Sequence, residues 1–171
     1  ALGPQWPGQE FLDFQRELHD LQRQGVLLAI SSKNNEAEVL AVLRGHPHML
    51  LREAHLAALR VNWEDKATSI KSIARELNIG LDHMLLIDDS PHERAWVRDQ
   101  IPQLLVPELP ADPSLYADWV GSLPSLLVLR QTAEDSRRTE QYHETRSREA
   151  YRSSAGTVED FLRGLKLRVH I

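Results

Sequence analysis

The chain has 171 residues, 42% of them hydrophobic and 26% charged, which describes one globular domain, or a domain with an appendage, and excludes a disordered tract. Twenty basic side chains against 25 acidic ones leave a net charge of −5, and no long basic run occurs, so nucleic acid and anionic membranes are not expected partners. Cysteine is absent, which excludes disulfides and thiolate chemistry and fits a reducing compartment; with no signal peptide and no apolar run near membrane-span length, a cytoplasmic location is expected.

The opening Ala1-Leu2-Gly3-Pro4, with methionine only at Met49 and Met84, and the alternating close Leu167-Arg168-Val169-His170-Ile171 read as the ends of an excerpt. Residues 1–9, with Pro4, Pro7, Gly3 and Gly8, read as loop. Phe11, Phe14, Leu18 and Leu21 fall at helical spacing, and Gly25 closes that helix. Val26-Leu27-Leu28-Ala29-Ile30 reads as a buried strand running into the polar loop Ser31-Ser32-Lys33-Asn34-Asn35. Asn35 is placed to cap the next helix, with Glu36 and Glu38 in its first turn, Val39, Leu40 and Leu43 on its apolar face, and Gly45 at its end. Met49-Leu50-Leu51 is a weak third strand.

After Trp63, the run Glu64-Asp65-Lys66 leads into a helix with Ile70, Ile73, Ala74 and Leu77 on one face, terminated by Asn78 and Gly80. Met84-Leu85-Leu86-Ile87 is a short apolar run ending in Asp88-Asp89, with Ser90-Pro91 as the turn. A helix over roughly 92–100, a strand Leu104-Leu105-Val106 stopped by Pro107 and Pro110, a helix near 113–120 and the apolar run Leu126-Leu127-Val128-Leu129 complete a core over 1–130. Strand and helix alternate from about 10 to 106, which predicts an α/β fold: a parallel sheet with helices on both faces. Residues 131–171 differ. Thr132 and Asp135 start a long helix polar nearly all round, Thr157 and Asp160 start another, and the final alternation suggests a strand leading to a further module.

Three polar groups thus fall at the carboxyl edge of one sheet, where ligands bind in open α/β folds. They are the Ser31-Ser32 loop, Lys66 and the acid pair Asp88 and Asp89. Adjacent like charges repel, and a hard divalent cation such as Mg²⁺ relieves both acids while keeping positions open for phosphate. Taken alone, the pair fits solvated turn residues equally well. Lys66 opens a helix, where a cation has the wrong sign unless an anion lies nearby. A hydroxyl with free amides, an ammonium and a metal-binding acid pair are what phosphoryl transfer needs, because charge on the equatorial oxygens must be neutralised. His46, His48 and His55 have no converging spacing for a metal, and Trp6, Trp63, Trp96 and Trp119 read as packing residues, Trp63 being nearest the site.

The order strand-Ser, Lys, strand-Asp-Asp resembles motifs two to four of the haloacid dehalogenase (HAD) superfamily. The runs Gly25–Glu36, Asn62–Ala67, Glu76–Asp82, Ile87–Arg94, Val106–Pro110 and Glu159–Leu162 resemble its FkbH-like branch, over nearly the whole chain. That resemblance implies a HAD-like Rossmannoid fold. It also implies a Mg²⁺-dependent phosphatase and acyltransferase that takes a phosphorylated three-carbon donor, 1,3-bisphosphoglycerate, and loads glyceryl onto an acyl carrier protein for polyketide assembly. It implies phosphoryl binding at Ser32 with Lys33 and Asn34 beside it, charge stabilisation by Lys66, Mg²⁺ at Asp88 and Asp89, and orientation of the acid pair by Glu93.

Two features depart from the family pattern. No Asp-x-Asp follows a strand here, so the first, central strand and its nucleophile are expected outside this chain. Ser31 stands where the family often has a cysteine that can carry the acyl group, and a hydroxyl is a weaker nucleophile than a thiolate. A plain small-molecule phosphatase and a non-catalytic binding domain are the alternatives. If a central strand is missing, strands 26–30 and 85–87 are second neighbours, about 9–10 Å apart, with a slot between them.

Overall fold

A computed structural model describes residues 3–126 and, beyond them, residues 140–142, 144, 145 and 147. The elements in order are α1 (Gly8–Arg23), β1 (Leu28–Ser32), α2 (Glu36–Gly45), β2 (Leu56–Val61), α3 (Lys66–Leu77), α4 (Pro91–Gln100) and α5 (Tyr116–Gly121). Short 3-10 turns lie at Glu53–His55, Leu81–His83, Pro113–Leu115 and Pro124–Leu126.

The helices begin and end for local reasons. Asn35 caps α2 by accepting the Ala37 N–H, and Asp65 caps α3 by accepting the Thr68 N–H. Ser90 caps α4, with Pro91 at the first helical position, where its missing N–H costs nothing. Asn78 ends α3 in the left-handed region, φ 51°, a conformation asparagine tolerates better than most residues. α1 lies against α5, and Phe11 and Phe14 meet Tyr116 edge to face at 6.1 and 5.6 Å.

β1 and β2 pair in parallel, in register from Ala29 opposite Ala58 to Ser32 opposite Val61. α3 packs on both strands, and its Ile73 and Leu77 join Ala57 and Ala58 of β2 in one core cluster. A second cluster joins Ala67 and Ile70 of α3 to Val97, Ile101, Leu104 and Val106. Leu56, Ala57 and Ala58 are buried in succession, so β2 is covered on both faces.

The strands differ from the sequence expectation. Met49-Leu50-Leu51 is not a strand; Leu50 and Leu51 instead donate their N–H groups to Gln15 Oε1 of α1. The strand expected at 84–88 is extended backbone held by a single parallel bridge, Leu85 opposite Leu105, and 104–106 likewise forms no ladder. β1 is only partly buried, with Ala29 exposed. One cause accounts for the last two. A cleft of about 1050 Å³ runs between 27–31 and 84–87 and leaves an edge of each uncovered. Among the described residues no backbone hydrogen bond joins 26–30 to 85–87, so the two segments are not direct partners, in agreement with the sequence expectation.

Trp6, Trp63 and Trp96 are exposed rather than packed. Of the polar helix expected from Thr132 on, residues 140–142, 144, 145 and 147 are helical, and the Tyr142 hydroxyl donates to Leu77 O at 2.8 Å, tying this segment to the end of α3. The expected helix from Thr157 and the closing strand lie outside the described residues, as does the apolar run after Leu126. Among the described residues no helix is long and apolar enough to cross a membrane.

Candidate active site

The two parallel strands deliver their carboxyl ends to one edge. The Asn62 N–H donates to Ser32 O at 3.1 Å, so the loop leaving β2 is fastened to the end of β1. Asn62 Oδ1 accepts from Glu64 N at 3.1 Å and from Ser69 Oγ at 3.3 Å, which folds that loop directly into the first turns of α3. Lys66 is thereby set beside the strand ends, and its ammonium donates to Asp88 Oδ2. This ion pair spans 22 residues of sequence and is largely withdrawn from water, Lys66 at 11% and Asp88 at 7% side-chain exposure. Asp88 is the anion that a lysine at a helix N-terminus requires.

Asp88 is held on every side. Its Oδ1 accepts the Ser90 N–H at 2.9 Å, its Oδ2 takes Lys66, and its carbonyl accepts Arg94 Nη1 at 2.7 Å. Asp89, next in the turn, is exposed. Each Asp88 oxygen has one protein donor, which leaves lone-pair capacity for a cation. Among the described residues no group of three or more acids and histidines converges on a metal position. Two carboxylates with substrate and water oxygens nevertheless suit Mg²⁺, which keeps several waters and usually takes only one or two carboxylates from the protein.

The remaining expected residues divide. Ser31 and Ser32 are half-buried at the end of β1, and Ser31 lines the cleft, as does Ile87 just before Asp88. Asn34 is exposed and accepts the Asn35 N–H at 2.7 Å. Lys33 and Glu93 meet each other at 2.7 Å. Glu93, which the family resemblance assigns to orienting the acid pair, accepts instead from Lys33 through Oε1, joining the β1 loop to α4, while its Oε2 is buried without a partner among the described residues. The three histidines serve turns: His46 Nδ1 accepts the His48 N–H, and His55 Nδ1 accepts the Arg52 N–H.

Sequence reasoning missed Asn62, Arg94 and Glu108. Arg94 is 6% exposed, and its Nη2 donates to Glu108 Oε2 at 2.8 Å. Arg98 reaches the other Glu108 oxygen at 2.5 Å and bonds Val106 O through Nε and Nη2. The Arg98 and Arg94 guanidinium groups together hold the Glu108 carboxyl below the ordinary glutamate range. Asp65 is likewise held low, first by its bonds from Thr68 and further by one from Trp96. The sign argument that singles out Lys66 would have found Arg94 too, since it is a cation in the first turn of α4.

No family model and no curated protein matches the chain. Among solved structures, the chain is similar to the N-terminal part of the protein BF1531 from Bacteroides fragilis, which contains a phosphatase domain and was crystallised in complex with Mg. Identity is 37% and the TM-score 0.68, over 76% of this chain and 34% of that one. The chain thus spans about a third of the length of that solved relative. The α/β, HAD-like fold expected from sequence is the fold found, shared with this phosphatase domain.

Proposed function

We propose that the protein is a Mg²⁺-dependent phosphatase and acyltransferase of the FkbH-like branch of the HAD superfamily. On this reading it dephosphorylates 1,3-bisphosphoglycerate and loads the glyceryl unit onto an acyl carrier protein. The observation that carries the reading is the Lys66–Asp88 pair, formed where the end of β1 and the loop after β2 meet. Likeness to a phosphatase domain complexed with Mg supports it.

Each residue has a role that follows from its chemistry. The Ser32 hydroxyl and the amides of Lys33 and Asn34 would donate to the phosphoryl oxygens. Lys66, already aimed at an anion, shares its charge with the phosphoryl group as negative charge spreads over the equatorial oxygens. Asp88 and Asp89 would hold Mg²⁺, which supplies Lewis-acid charge at the phosphate. On this reading a strand bearing the Asp nucleophile would lie in the cleft beside β1, a proposal supported by the edges of β1 and 84–87 that face it. Ser31 lines that cleft and, on the same reading, would hand on the acyl group.

A plain small-molecule phosphatase is the second reading. It is favoured by Ser31 itself, a hydroxyl where acyl transfer is better served by a thiolate. One experiment separates the two. The full-length protein is given 1,3-bisphosphoglycerate, Mg²⁺ and a pantetheinylated carrier protein, and phosphate release and carrier mass are followed together. The proposal expects Mg²⁺-dependent phosphate release with glyceryl on the carrier. Phosphate without carrier acylation selects the second reading, and neither product overturns both.

A further inference from the structure

Arg94 sits inside the molecule with its two terminal nitrogens divided between the Asp88 carbonyl and the Glu108 carboxylate, at 2.7 and 2.8 Å. Its Nε is buried without a partner among the described residues, so the side chain is desolvated to a degree that only these bonds offset. We propose that Arg94 is a positioning residue that fixes the backbone of the Asp88-Asp89 turn from which both acids project. The inference rests on the reading that this turn holds Mg²⁺.

The argument is one of geometry. The peptide joining Asp88 to Asp89 is planar, so fixing the Asp88 carbonyl oxygen also fixes the N–H and Cα of Asp89. Asp88 has its own side-chain restraints in Ser90 and Lys66. Asp89 is exposed, and the Cα from which its carboxylate projects is placed by the backbone that Arg94 grips. Arg94 is in turn aimed by Glu108, and Glu108 by Arg98, whose guanidinium also binds Val106 O. The segment after Val106 and the helix α4 therefore act on the acid pair through one guanidinium. Lysine cannot replace it, because an ammonium is a point donor and cannot span a carbonyl and a carboxylate as the planar fork does.

The test is Mg²⁺ titration calorimetry on the full-length protein, with Arg94→Lys, Glu108→Gln, Asp89→Asn and the core variant Ile101→Val. Melting temperature is measured for each. Arg94→Lys is expected to raise the Mg²⁺ dissociation constant at least ~10-fold, the scale for removing a group that orients metal ligands. Ile101→Val lowers the melting temperature and leaves Mg²⁺ affinity at the wild-type value. Should Arg94→Lys fail to fold, Glu108→Gln, on an exposed side chain, carries the test: weakened Mg²⁺ binding supports the proposal and wild-type binding overturns it. Wild-type affinity in a folded Arg94→Lys, while Asp89→Asn loses the metal, overturns the positioning role and leaves the site reading intact. Wild-type affinity in Asp89→Asn overturns the site reading and this inference with it.

Discussion

Lys66 shows how far a single residue can be read from the sequence. A lysine at the first position of a helix faces the positive end of the dipole, so its presence demands an anion. The structure supplies Asp88, and on the proposed reading the same ammonium also serves the phosphoryl group. Lys66→Ala is therefore expected to lower phosphate release in the full-length protein at least ~100-fold, the scale for losing one preorganised charge-stabilising group. Asp88 then stays buried without its cation, so the variant is also less stable, and the rate must be read well below its melting transition. Activity near wild type would make the pair a purely structural one. The same sign argument reaches Arg94 near the start of α4 but not its partner Glu108, because that pairing depends on where 106–110 returns against α4, and no spacing in the sequence encodes that.

At the scale of elements, the helices were legible and the sheet was only half so. α3 and α2 announced themselves through apolar spacing and through Asp65, Asn78 and Asn35 as caps. β2 was missed because Leu56-Ala57-Ala58-Leu59-Arg60-Val61 carries helix-favouring residues and a β-branched side chain only at its end. What makes it a strand is burial: Ala57 and Ala58 are at 1% and 0% exposure, in the core cluster that α3 completes. The 3-10 turn leading into β2 carries His55, whose ring lies 4.6 Å from His19 of α1. Burial first, then His19 and Arg52, hold the His55 pKa below the ordinary histidine value. The unfolded chain therefore takes up its proton first as pH falls through about 6.5, and stability drops from there towards the lower folded value. Urea unfolding at neutral pH and again near pH 5 checks this. Wild type should lose stability over that window, and His55→Asn, whose Oδ1 can still accept the Arg52 N–H, should lose less. Equal losses in the two proteins would remove His55 as the cause.

Over the whole molecule the sequence carried the α/β order, and the slot followed from it. Val26–Ile30 and Leu85–Ile87 do not pair; a cleft of about 1050 Å³ lies between them, with Ser31 and Ile87 on its walls. Apolar runs alone suggested two buried strands. They could not show that each would be half-covered, because burial of a strand is decided by its neighbours and not by its own residues. The chemistry then gathers where the strand ends meet: Ser32 bonded to Asn62, Asn62 holding the start of α3, and Lys66 on Asp88. The central claim is that this edge is a Mg²⁺-dependent phosphate site, and Asp89 tests it most directly. Asp89 is exposed, and among the described residues no partner at Asp89 confounds its removal in the way that Lys66 confounds removal of Asp88. Mg²⁺ titrated calorimetrically into the full-length wild type should show a saturable site, and Asp89→Asn should weaken it at least ~10-fold at an unchanged melting temperature. Equal affinity in the two proteins would contradict the account.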